Sequence, residues 1–138
     1  MFLGAQDRQS SVPRPPARRA ASTAADRNWR GRLELLVMQP TPFCNLDCSY
    51  CYLPQRSDRS VMSAETVERV ARSVFAEGLP GASLTVVWHA GEPLVVPPRW
   101  YEQAFAAFSR HAPAECVIVH HFQTNGVLLD AAWCALIR

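Results

Sequence analysis

Lysine is absent from the sequence: all fourteen basic residues are arginine, a bias in keeping with a GC-rich genome. Also missing is any apolar run near the roughly 18 residues that a membrane-spanning helix needs, so no membrane association is expected. The opening Met1-Phe2-Leu3-Gly4-Ala5 has neither a basic region nor an adequate apolar stretch, and no secretory signal is expected there. Cysteines are few and odd in number, five in 138 residues, with three between Cys44 and Cys51. Such a set argues against a disulfide frame and for a metal site in a reduced compartment. The cytoplasm is the expected location.

What is present divides unevenly. Residues 1–32 hold seven Arg and two Asp, whereas the remainder holds seven Arg and ten acids, so a net +2 conceals +5 followed by −3. The basic stretch is rich in Pro, Ala and Ser and cannot bury enough apolar surface to order itself. A disordered tail over 1–32 is expected, with no function assigned to it and no nucleic-acid partner.

From Leu33 the pattern changes. Leu33-Glu34-Leu35-Leu36-Val37-Met38-Gln39, stopped by Pro40, reads as a buried strand. After a loop carrying the clustered cysteines, Ser63 can cap a helix with Glu65 in its first turn. Val67, Val70, Ala71, Val74 and Phe75 form its single apolar stripe, and Gly78 and Pro80 end it. The cycle repeats with a strand at Leu84–Trp88, the loop His89-Ala90-Gly91-Glu92-Pro93, and a helix from Pro98 in which Trp100, Ala104, Ala107, Phe108 and His111 share one side. A third strand runs from Cys116 toward Phe122, Gln123-Thr124-Asn125-Gly126 closes it, and Asp130 caps a third helix. Three strand–loop–helix units imply an α/β fold with parallel strands and right-handed crossovers. All three loops after the strands then open at one edge, where α/β proteins build their sites.

Cys44-Asn45-Leu46-Asp47-Cys48-Ser49-Tyr50-Cys51 is a C-x3-C-x2-C array. Thiolates bind soft metals, and these spacings let a loop wrap a compact centre. A structural zinc or an ordinary four-iron cluster takes four protein ligands; three on a cubane leave one iron open. His89, Cys116, His120 and Cys134 are the nearest candidates for a fourth ligand, but none has metal-type spacing. Cys116 and Cys134 read better as small core residues, and the histidines as polar groups at strand ends.

The array, with an aromatic just before its last cysteine and on the loop after the first strand, resembles the signature of radical S-adenosylmethionine (SAM) enzymes. The text from Gln39 to Pro54 is similar to the branch that modifies peptides and usually ends in a cysteine-rich SPASM domain. The resemblance covers about Leu33 to the last residue. It implies the first three βα units of a partial (β/α)6 barrel over 33–138, truncated or completed by a second chain, because a closed α/β barrel needs ~200 residues or more. It implies that Cys44, Cys48 and Cys51 hold a [4Fe-4S] cluster whose fourth iron is chelated by S-adenosyl-L-methionine, with Tyr50 against the adenine. Gly91-Glu92-Pro93 is similar to a Gly-Gly-Glu-Pro motif that receives the methionine amino group. Ala90 replaces the first glycine, a change expected to be tolerated at negative φ. Thr124 and Asn125 resemble a Thr-Asn-Gly that contacts ribose or carboxylate; on residues alone, Asn125-Gly126 is equally a turn.

The implied chemistry is electron transfer from the cluster into the sulfonium, giving a carbon radical that takes hydrogen from an unactivated carbon. The implied partners are a ribosomally made precursor peptide and an electron donor such as ferredoxin or flavodoxin. Gln39-Pro40-Thr41-Pro42-Phe43-Cys44, Val86-Val87-Trp88-His89-Ala90-Gly91-Glu92-Pro93-Leu94 and Phe122-Gln123-Thr124-Asn125-Gly126 most resemble cyclophane-forming peptide maturases. The second reading is an anaerobic sulfatase maturase forming formylglycine; a third, of another class, is a zinc-stapled binding module or an inactive remnant. The chain alone is expected to be inactive on a peptide. Cys48→Ala is expected to abolish cluster assembly and Cys134→Ala to leave it intact, as read by iron and acid-labile sulfide after anaerobic reconstitution.

Overall fold

The computed structural model describes residues 32–137. Apart from Arg32, the expected tail lies outside the described residues. Three parallel strands form one sheet in the order β1-β2-β3: β1 Leu33–Met38, β2 Pro80–Trp88 and β3 Val117–Phe122. The helices α1 (Ala64–Ala76), α2 (Pro98–His111) and α3 (Ala131–Ile137) follow the strands in turn. The chain is thus the α/β succession expected from its periodicity.

Local chemistry sets the ends of α1. The Ser63 hydroxyl accepts from the Thr66 amide at 3.1 Å, satisfying one orphan donor of the first turn. At the other end Gly78 has φ +61, and Leu79 and Gly78 donate back to the Val74 and Phe75 carbonyls. That is a Schellman ending, which glycine adopts without a Cβ penalty. Pro80, expected only to stop the helix, also opens β2, so that strand starts four residues before Leu84. Pro80-Gly81-Ala82-Ser83 lacks the β-branched residues that signal a strand. A register irregularity between Leu33 and Leu35 absorbs the pairing of this weak segment.

One face of the sheet carries the core. Met38, Leu84, Val86 and Trp88 meet Val67, Ala71 and Val74 of α1, Tyr101, Ala104, Ala107 and Phe108 of α2, and Trp133 of α3. The expected stripe of α2 packs on the core through Ala104, Ala107, Phe108 and a half-buried Trp100, and it omits one residue. Tyr101, outside that stripe, is fully buried; Trp100 is half-buried, its indole N–H donating to the Met62 carbonyl at 3.1 Å. His111 instead pairs with Glu68 at 2.6 Å, beside Arg110 on the same carboxylate. The opposite face is open: Leu35 and Val37 are each 53% exposed, and Val117 and Val119 lie on the same side of β3. The first strand is therefore buried on one face, not on both as its apolar run suggests.

Two of the small-residue and polar-group expectations also need correction. Cys116 packs against the core, but Cys134 is exposed on α3. His120 is not a polar group at a strand end. It lies on the covered face, its ring stacked on Phe105 at 4.0 Å between centroids, and its Nδ1 accepts from the Trp88 indole N–H at 3.3 Å. An aromatic cage suits neutral imidazole, which buries an apolar body while keeping one acceptor satisfied.

Burial lowers the pKa of His120 from 6.5 to about 4. Between those values the unfolded chain binds more protons than the folded one, so stability rises with pH and is lost as pH falls. The full effect is roughly 3 kcal/mol. Urea midpoints are expected to drop from pH 7 to pH 5, and His120→Gln, which keeps an acceptor for Trp88, should flatten that slope. Parallel slopes for the two proteins would refute the assignment.

Candidate cofactor site

The three strands end level, and backbone bonds continue the ladder past them: His89 donates to the Met38 carbonyl and Gln123 to that of Trp88, both at 2.9 Å. The loops at 39–63, 89–97 and 123–130 are thereby set side by side at one edge.

The first loop is anchored before its cysteines. Thr41, buried between two prolines, donates through Oγ1 to the Ser60 carbonyl at 2.6 Å and accepts from the Phe43 amide at 3.1 Å. Beyond it the Cys44 amide donates to the Arg56 carbonyl at 3.0 Å, and the Cys51 amide turns back to the Cys48 carbonyl at 3.1 Å. Arg56 braces the outer side, donating to the Cys48 carbonyl at 3.0 Å and pairing with Asp47 at 2.7 Å. The Leu46 amide points at Cys44 Sγ, 3.5 Å away.

The second loop packs directly on the first. A Cβ at Gly91 would sit 2.4 Å from the Thr41 carbonyl oxygen and 2.6 Å from that of Phe43, and φ there is +61; only glycine fits such an approach. Ala90 also has a left-handed backbone, φ +71, not the negative φ under which its methyl would be free of cost. The Glu92 amide donates to the Phe43 carbonyl at 2.7 Å, and a short 3₁₀ turn, Pro93–Val95, follows. Beneath it the buried Tyr101 hydroxyl donates to the Pro93 carbonyl at 2.8 Å. Burial, then the charge of Glu92, raises the phenol far above its ordinary range.

The Glu92 side chain is 1% exposed. Its Oε1 accepts from the Leu94 amide at 2.8 Å and from Thr124 Oγ1 at 2.6 Å, and its Oε2 from the Asn125 amide at 2.8 Å. A carboxylate has about four lone-pair sites; three are filled, leaving room on Oε2 for a single further donor. Thr124 and Asn125 are thus first of all partners of Glu92. Asn125-Gly126 also makes the turn that an Asn-Gly pair suggests: Asn125 Oδ1 accepts from the Val127 amide at 3.0 Å, and Gly126 has φ +76.

Cys44, Cys48, Cys51, Tyr50, Gly91, Glu92, Thr124 and Asn125 line one hollow of about 220 Å³. Eight of the nine expected site residues are brought to it, and the ninth, Pro93, is buried directly behind. Larger hollows lie between α1 and α2 and outside the cysteine loop, but neither gathers the three cysteines. Tyr50 is 88% exposed; interaction with Cys48 raises its phenol above the ordinary value. Of the four candidate extra ligands only His89 reaches the hollow, and its Nε2 is paired with the Tyr52 hydroxyl at 3.1 Å. The motifs give no hint of Tyr101, Asn45 or the Tyr52–His89 pair. Thr41 carried one signal, a lone hydroxyl between two prolines that leave the backbone short of donors.

The donor set suits an iron–sulfur cluster: three cysteines line one hollow, and a cubane spreads thiolate ligands over separate irons.

A three-stranded parallel α/β sheet with three cysteines on its first loop and an acidic, glycine-bearing second loop defines an α/β protein with a thiolate site at its strand ends. The Radical SAM superfamily model matches residues 38–138, and the chain belongs to that superfamily. The family uses a [4Fe-4S] cluster and S-adenosylmethionine (AdoMet). The chain is 39% identical over 106 residues to the serine-type anaerobic sulfatase-maturating enzyme of Klebsiella pneumoniae, covering 75% of this chain and 27% of that protein. It is 37% identical over 112 residues to the uncharacterized protein sll1766 of Synechocystis, covering 78% and 28% respectively. Among solved structures, histidine-tagged anSMEcpe with bound AdoMet superposes with a TM-score of 0.65 at 26% identity, over 75% of this chain and 28% of that one. Native anSMEcpe with bound AdoMet and the Cp18Cys peptide does so at 0.62 and 25%, over 73% and 27%. The chain therefore spans little more than a quarter of the length of these relatives.

A left-handed alanine costs ~1 kcal/mol relative to glycine. Ala90→Gly is expected to raise the stability of the metal-free chain by about that amount, and Gly91→Ala to lower it by more, as read from urea midpoints. A lower midpoint for Ala90→Gly would show that the strain is absent.

Proposed function

We propose that this chain is the cofactor-binding part of a radical SAM protein maturase of the anaerobic sulfatase-maturating kind, which oxidises a Ser or Cys of its target to formylglycine. The observation that carries the reading is the single hollow into which the three cysteines, Tyr50, Gly91, Glu92, Thr124 and Asn125 are gathered. Relatives of both serine and cysteine type share its sequence, the latter in Clostridium perfringens at 26% identity. They support this subclass over cyclophane formation, for which the motif resemblance alone speaks.

In this reading Cys44, Cys48 and Cys51 each hold one iron and leave the fourth for the amino and carboxylate groups of S-adenosyl-L-methionine. When bound, the pair supplies a carbon radical able to remove hydrogen from an unactivated carbon. The chain's own residues hold and orient. The remaining acceptor site on Glu92 Oε2 would take one N–H of that amino group, and the backbone at Gly91 admits close approach. Tyr50 offers its exposed ring to the adenine. Pro93 stiffens the loop above Tyr101, while Thr124 and Asn125 present their remaining polar atoms to the ribose or carboxylate. A peptide segment of the target protein and a one-electron donor such as ferredoxin or flavodoxin are the proposed partners, in the cytoplasm, where unpaired cysteines persist.

Anaerobic reconstitution tests the reading. The expected product is brown, contains iron and acid-labile sulfide, and shows a reduced-cluster resonance that AdoMet shifts. One equivalent of zinc without sulfide would instead establish the binding module. In the whole enzyme to which the chain belongs, a hydrazide probe should label the modified peptide, since formylglycine is an aldehyde; an unlabelled cross-linked product would favour cyclophane formation.

A further inference from the structure

We propose that Asn45, between the first two cluster cysteines, is a positioning residue that latches the cysteine loop over the cofactor hollow; the proposal rests on the reading of that hollow as the AdoMet site. Most of the loop's tethers lie on its outer side or at its base, through Arg56, Asp47 and Thr41. Across the hollow it is held by two side-chain bonds, Tyr52 to His89 and Asn45 to Asn125. The second joins residues 80 positions apart, with Asn125 Nδ2 donating to Asn45 Oδ1 at 2.9 Å.

The direction of that bond is imposed from elsewhere. The Asn125 amide is held by buried Glu92, and its Oδ1 must accept from the Val127 amide. With its oxygen turned toward Val127, the amide presents its NH₂ to Asn45. Asn45 must therefore supply an acceptor, and any residue without one leaves the latch open. Because Glu92 is also tied to the first loop through Phe43, the three loops close into a ring: Phe43 to Glu92, Glu92 to Asn125, Asn125 to Asn45. Asn45, half-buried beside an exposed Asn125, is its last link. Closing the ring fixes the distance between the Cys44 side of the hollow and the polar atoms of the third loop, so its effect falls on cofactor affinity and not on cluster assembly.

The test uses the reconstituted chain with AdoMet itself as the probe. Asn45→Ala should keep iron and sulfide at the unsubstituted level while weakening AdoMet about fivefold, the usual net effect of one exposed hydrogen bond, as read by titration of the reduced-cluster resonance. Asn45→Asp, which retains the acceptor, should restore affinity to within about twofold. Asn125→Asp removes the donor but keeps the acceptor for Val127, and adding Asn45→Ala to it should cost nothing beyond Asn125→Asp alone. Unaltered AdoMet affinity in Asn45→Ala, additive losses, or loss of the cluster itself would each overturn the latch and leave the functional reading standing. An unsubstituted chain that assembles its cluster but ignores AdoMet would overturn the reading of the hollow, and the latch with it.

Discussion

The buried carboxylate of Glu92 is the constraint on which the site depends. A charge removed from water is tolerated only if its lone pairs are satisfied, and here the satisfying donors come from its own turn and from the loop after β3. Its backbone amide meanwhile reaches the segment just ahead of Cys44. One residue thus imposes the mutual placement of three loops that the chain order keeps far apart. Its partners cannot drift without leaving a buried anion short of hydrogen bonds, so the loops are organised before any cofactor enters.

That placement is built on an uneven sheet. The helices cover one face through Trp88, Tyr101 and Phe108, with Trp88 set edge-on to both rings. The other face leaves Leu35, Val37, Val117 and Val119 open. The covered face contributes directly to the site, because Tyr101 rises from the core to grip the Pro93 carbonyl. Core packing and loop geometry are therefore coupled through one hydroxyl. A residue that looks like ordinary core from its burial also determines where the second loop sits.

Belonging to the radical SAM superfamily explains why so much chemistry collects at the strand ends. In the proposed reading the cofactors would carry the difficult bond cleavage, and the chain's part would be to hold them. A short cysteine turn, a glycine loop with no room for a side chain and an acid with one acceptor site to spare match that division of labour.

Much of this was legible in the residues themselves. Apolar periodicity at 3.6 marked α1, and the spacing of Cys44, Cys48 and Cys51 announced a metal centre, because both signals lie within a few residues of one another. Ser63 as a cap and the left-handed Gly78 are equally local. Ala90's positive φ, the burial of Glu92, the full burial of Tyr101 beside Trp100 on α2 and the removal of His120 into an aromatic cage were not. Each depends on which residue from a distant part of the chain comes to lie opposite: Thr41 and Phe43 against Gly91, Thr124 and Asn125 against Glu92, Phe105 against His120. By itself the sequence determined the elements, their order and the thiolate trio, since short-range sterics and spacing suffice for those. Which polar groups would be spent on one another was decided only when the strands came into parallel register and brought three separate loops within hydrogen-bonding distance.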